Sequence, residues 1–119
     1  GLRHNWITAI VPVDDDWFVG TYGAGILRLT RHGDWETFAD ATGQFDVNNN
    51  AMVAATDRVY AGTQGRGLHV YERASGRWSG VTTGLPSLNV TAVAAHDGYL
   101  YVGTDNGLVR ISEESLRNP

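Results

Sequence analysis

Side chains capable of chemistry are present in this chain, but they are scattered. Three consecutive carboxylates, Asp14-Asp15-Asp16, offer oxygen ligands for a hard cation. No EF-hand spacing of donors, central Gly and distal Glu surrounds them, and the run sits between two apolar stretches, so it reads as a solvated turn. The four His (His4, His32, His69 and His96) share no ligand spacing, which argues against a zinc triad. With no Cys, thiolate metal sites, disulfides and Cys nucleophiles are excluded. Gly23-Ala24-Gly25 and Gly65-Arg66-Gly67 are glycine-rich, yet no helix follows whose N-terminus would cradle a phosphate. They read as hairpin turns that need positive φ. No Ser nucleophile elbow, Ser/His/Asp set or repeated carboxylate pair is visible. Asn89-Val90-Thr91 fits a glycosylation sequon, but Thr91 begins a strand-like run. Neither a metal nor a cofactor is expected.

The elements that position these residues follow from the glycines. The chain holds 15 Gly in 119 residues, nearly twice the usual frequency of about 7%. They recur in register. Gly20-Thr21, Gly62-Thr63 and Gly103-Thr104 lie about 41 residues apart, each after an apolar run: Trp17-Phe18-Val19, Val59-Tyr60-Ala61 and Leu100-Tyr101-Val102. A second glycine and another apolar run follow at Gly25-Ile26, Gly67-Leu68 and Gly107-Leu108. Gly33-Asp34-Trp35 and Gly76-Arg77-Trp78 each place a Trp after a turn, which favours packing over sugar stacking.

No stretch carries helical periodicity. Every apolar run is short, rich in Val, Ile, Tyr, Trp and Thr, and bounded by Gly, Asp or Asn. Four such runs fit one period; in the second repeat they fall near 50–56, 58–63, 67–73 and 77–82. Four short antiparallel strands in about 40–45 residues make one blade of a β-propeller. The expected fold class is therefore all-β: propeller blades of four-stranded antiparallel sheets in three repeats, the last lacking its outer strand. Blade 1 is expected over 1–42, blade 2 over 43–83 and blade 3 over 84–112, with a tail over 113–119.

Gly84-Leu85-Pro86-Ser87-Leu88-Asn89-Val90-Thr91-Ala92-Val93, then Asp97-Gly98-Tyr99-Leu100-Tyr101-Val102-Gly103-Thr104-Asp105-Asn106-Gly107-Leu108, resembles the repeat of bacterial two-component-regulator propellers. That repeat reads G-L-P-x-N-x-V-x-A, a D-G turn, then L-W-V-G-T-x-x-G-L, with a trailing G-x-W. The third repeat matches tightly and the first two more loosely. Arg3-His4 and Phe45-Asp46 stand where Pro-x is usual, and Asp14-Asp15-Asp16 is an unusual first turn. The resemblance implies a ligand-sensing or interaction module, often for carbohydrates, in a periplasmic or extracellular setting. Some similar propellers are lyases with a channel-mouth His and a divalent metal, and His4 is the nearest counterpart here.

Loops entering each innermost strand and loops joining second to third strands open on one face of a propeller. The first set supplies His4, Asn5, Trp6, Asp46, Asn48, Asn49, Ser87 and Asn89; the second supplies Tyr22, Gln64, Arg66, Asp105 and Asn106. This mix of amides, aromatics, guanidinium and carboxylates suits a carbohydrate or peptide. All nine basic residues are Arg, dispersed in a chain of net charge −4, so a nucleic-acid partner is not expected. The longest apolar stretch, Ala51 to Ala55, is far below a membrane span. Three blades cannot close a ring, whose usual count is about four to eight. The expected partners are a second copy, giving six blades, or further blades of a longer chain. Residues such as Ile10, Val53, Val93 and Val102 are expected on the end faces such partners would cover.

Overall fold

The computed structural model describes residues 6–116. Strands β1 (Ile7–Val13), β2 (Asp16–Thr21), β3 (Ile26–Leu29) and β4 (Trp35–Thr37) form one antiparallel sheet in chain order. Strands β5 (Val47–Ala54), β6 (Arg58–Thr63), β7 (Leu68–Glu72) and β8 (Arg77–Val81) form a second. Strands β9 (Val90–His96), β10 (Tyr99–Thr104) and β11 (Gly107–Ser112) form a third, with no fourth strand among the described residues. A short 3-10 helix, Glu113–Leu116, follows. The chain is all-β and built of propeller-blade sheets.

The turns explain the recurring glycines. Gly23, Gly25, Gly65 and Gly67 all take positive φ, and Asp97-Gly98 (φ 50° and 78°) fits the twist of a tight hairpin. The Thr of each Gly-Thr pair closes the turn it precedes. The Thr21, Thr63 and Thr104 hydroxyls donate to the carbonyls of Gly25, Gly67 and Gly107 at 2.8, 2.7 and 2.8 Å. Each also accepts one turn N–H, from Ala24, Arg66 and Asn106 respectively, at 3.1 Å. One hydroxyl thus satisfies two backbone groups.

The Gly of each pair sets the spacing between blades. A Cβ on Gly20 would stand 2.8 Å from Val47 Cγ1, and one on Gly62 would stand 2.8 Å from Val90 Cγ1 and 2.6 Å from the Val90 carbonyl. The first strand of the next blade therefore lies flush on the glycine. Two cores result. Phe18, Ile26 and Phe38 meet Val47, Met52, Val59, Tyr71 and Trp78 between the first two sheets. Tyr60, Leu68 and Val70 meet Val90, Leu100 and Val102 between the second and third.

Two expectations need correction. Val53, Val93 and Val102 do not lie on end faces: they pack between the second and third sheets, because alternation in a strand sends odd and even positions to opposite faces. Ile10 is exposed on the first sheet, while the open face of the third carries Tyr99, Tyr101 and Leu108. The innermost strand of the second blade also starts at Val47 rather than near 50, because an irregular bulge between Val47 and Met52 keeps Asn48, Asn49 and Asn50 within it.

Candidate functional site

The expected site residues within the described range gather at one end of the three sheets. His4 and Asn5 lie outside the described residues. Antiparallel pairing puts the starts of β1, β5 and β9 beside the β2–β3, β6–β7 and β10–β11 turns, and backbone bonds tie them in one register. The N–H groups of Tyr22, Gln64 and Asp105 donate to the carbonyls of Trp6, Asp46 and Asn89 at 3.1, 3.0 and 3.3 Å. Each blade thus presents one inner-strand entry and one turn as a unit.

Side chains link these units across the blades. The Tyr22 hydroxyl reaches Asn48 Oδ1 at 3.5 Å, and Asn48 Nδ2 donates to Asn89 Oδ1 at 3.0 Å and to the Val90 carbonyl at 2.6 Å. Asn89 Nδ2 approaches Asp105 Oδ2 at 3.4 Å. The Ser87 hydroxyl, and then the Asn89 amide, hold the Asp105 carboxyl below its ordinary range. Asp46 caps the Gly23 N–H at 2.6 Å, and Asn106 Nδ2 donates to the Pro86 carbonyl at 3.3 Å. These residues are partly spent on local structure, and Asn48 in particular is buried as an interblade bolt.

Trp6, Asn49, Gln64, Arg66, Asp105 and Asn106 face solvent. Trp6 is 62% exposed and leans on Tyr22 with ring centroids 5.5 Å apart. Arg66 reaches over the buried Phe45 ring, its guanidinium carbon 5.9 Å from the centroid. Beneath it, His69 meets Phe45 edge-on at 4.3 Å, and burial, with help from Arg66, lowers its pKa to about 4. His69 is therefore a neutral packing residue at neutral pH.

One residue of this end escaped sequence reasoning. Asn50 takes φ 59° in the β5 bulge and lines a cleft of about 350 Å³ with Ile7, Thr8, Ala9, Ile10 and Met52. Such bulges re-aim side chains beside functional sites. The Asn48-Asn49-Asn50 run was the available signal.

A larger cleft, about 1050 Å³, opens at the opposite end, between the second and third sheets. Its buried charge is internally paired. Arg58, 6% exposed, donates through Nε to Glu72 at 2.6 Å and through Nη1 to the Glu113 carbonyl at 2.6 Å. The Tyr60 hydroxyl donates to Glu113 Oε1 at 2.5 Å. Asp14, Asp15 and Asp16 lie at this end too, paired with Arg73, Arg31 and Arg28 respectively. No group of three or more potential metal ligands gathers among the described residues. No described helix is long and apolar enough to cross a membrane.

No protein-family model and no curated protein matches the chain. Solved structures do. The extracellular domain of BT3049, described as a hybrid two-component system of B. thetaiotaomicron, superposes with TM-score 0.76 at 18% identity over 98% of this chain and 17% of its own. PorZ, a bacterial surface component of the type-IX secretion system of Porphyromonas gingivalis, gives 0.75 at 19% identity over 93% of this chain and 18% of its own. The computationally designed Ika4 gives 0.71 at 18% identity, over 89% of this chain and 65% of its own. The chain thus spans less than two thirds of Ika4 and under a fifth of the two bacterial proteins. At these identities the likeness is one of fold.

Proposed function

We propose that this chain is a non-enzymatic binding module of a β-propeller, with its ligand surface on the end that carries Trp6, Tyr22, Asn49, Gln64, Arg66 and Asp105. The single observation carrying this reading is the side-chain relay from Tyr22 through Asn48 and Asn89 to Asp105 across all three sheets. Such a relay fixes Tyr22, against which Trp6 leans, and Asp105 before a ligand arrives, which lowers the ordering cost of binding. An exposed Trp beside amides, a guanidinium and a carboxylate suits a polar ligand with one flat apolar face, as a carbohydrate or a peptide has. The opposite end is larger in volume, but its buried cation and carboxylates already satisfy one another. The likeness to a bacterial surface component and to an extracellular domain supports an extracytoplasmic sensing or interaction role.

Panels of immobilised glycans and peptides, screened with the whole chain, test the reading. The triple variant Trp6→Ala, Asn49→Ala, Arg66→Ala should lose binding to any hit while keeping its circular dichroism. Retained affinity in that variant would place the ligand elsewhere.

A further inference from the structure

The joint between blades is a knob on a glycine, and among the described residues one knob and one glycine have no partner. Val47 sits on Gly20 and Val90 on Gly62. Strand pairing identifies the corresponding residue of the first blade: Val47 pairs with Thr63, Val90 with Thr104, and Ile7 with Thr21. Val47 and Val90 are fully buried, whereas Ile7 is 46% exposed. The third glycine, Gly103, would meet no heavy atom nearer than its cross-strand neighbour Ala92, at 3.4 Å. The residues around it repeat the contrast. Leu108 is 70% exposed where its counterparts Ile26 and Leu68 are fully buried, and Trp17 is 43% exposed where Val59 and Leu100 are fully buried.

We propose that the open face of the third blade receives the open face of the first blade from a second copy of this chain, with Ile7 seated on Gly103. The occupant is specified by continuity with the two joints already inside the chain: the free knob and the free glycine are the halves of a third. Because each copy carries both halves, two copies form two identical contacts about one two-fold axis and close at six blades. Six falls within the usual range of about four to eight, whereas three copies would give nine. A stable interface buries about 1,200–2,000 Å² in total, so each of the two contacts must supply about half of that. Ile7, Ile10 and Trp17 meeting Tyr101, Gly103 and Leu108 form the apolar centre of each. This inference is independent of what the polar end binds.

Sedimentation equilibrium of the whole chain at micromolar concentration tests it, with a dimer expected. Gly103→Val should raise the dimer dissociation constant at least 100-fold while preserving circular dichroism, because a Cβ there meets nothing nearer than Ala92 at 3.4 Å in the isolated chain, whereas at the two internal joints it would stand 2.8 Å from the knob. If Gly103→Val fails to fold, Leu108→Asp, at an already exposed position, makes the same prediction. A wild-type monomer, an assembly other than a dimer, or dimers unaffected by the folded variant would overturn the proposal.

Discussion

Replacing Tyr60 with Phe should destabilise the fold by about 1.5 kcal/mol near neutral pH and remove a stability loss at alkaline pH. The phenol oxygen donates to the Glu113 carboxylate at 2.5 Å and accepts from Arg58 Nη1 at 3.4 Å, and its ring is fully buried. A hydrogen bond to a charged group contributes about 1.5–3 kcal/mol net. Glu113 is half-exposed and can take water in its place, while Arg58 keeps Glu72 and the Glu113 carbonyl, so the lower figure applies. That corresponds to a fall of about 6 °C in Tm for a domain this size. Burial, reinforced by Glu113, pushes the Tyr60 pKa up to about 12, against about 10 in the unfolded chain. The folded state therefore holds this proton more tightly. The associated stability is complete below pH 10 and is lost as pH rises from 10 to 12. Two pH units set a ceiling of about 2.7 kcal/mol, and water beside Glu113 reduces it to about 1–2. Urea unfolding followed by Trp fluorescence, at fixed protein concentration and at pH 8, 10 and 11.5, measures both effects. A variant within about 0.3 kcal/mol of wild type at pH 8, or one with an unchanged alkaline decline, would refute the role assigned to this hydroxyl.

Gly62→Ala should lower stability by about 1–3 kcal/mol, because its methyl would strike the Val90 backbone, whereas Gly80→Ala, with His69 Cε1 at 3.6 Å, should not; urea midpoints of the two variants decide it. His69 is held neutral, with its pKa lowered to about 4 against about 6.5 unfolded, so its contribution is complete above pH 6.5 and is lost as pH falls to 4. Replacing His69 with Phe should remove up to about 2.4 kcal/mol of that acid-side decline, read from urea midpoints at pH 7 and 4.5.

The repeat was legible because its signature residues each have a local task. Thr21, Thr63 and Thr104 bridge their own turns, and Gly20 and Gly62 admit the next strand, so both types recur wherever the task does. Strand placement in the second blade followed: 67–73 was expected and Leu68–Glu72 is found. Long-range pairing left no such trace. Arg58 looks like any charged strand residue until Glu113, far along the chain, is brought against it. Among the site residues, exposed Trp6 and Arg66 could be named from the sequence, but the division of labour among the Asn could not. Asn48 bolts two blades together while Asn50 turns outward, and a run of three identical residues carries no mark of which does which.

The glycine-and-knob joint leaves copy number unencoded. Each unit of about 41 residues holds one half of the joint to its predecessor and one half of the joint to its successor. A gene duplication that adds or removes a whole unit leaves every remaining joint intact and creates no unmatched partner inside the array. Selection can therefore vary the number of units without redesigning any interface, and only the angle between neighbours decides which totals come full circle. Within that constraint the entry loops are free to diverge one unit at a time, as the lengthened Asn-rich entry to β5 has done.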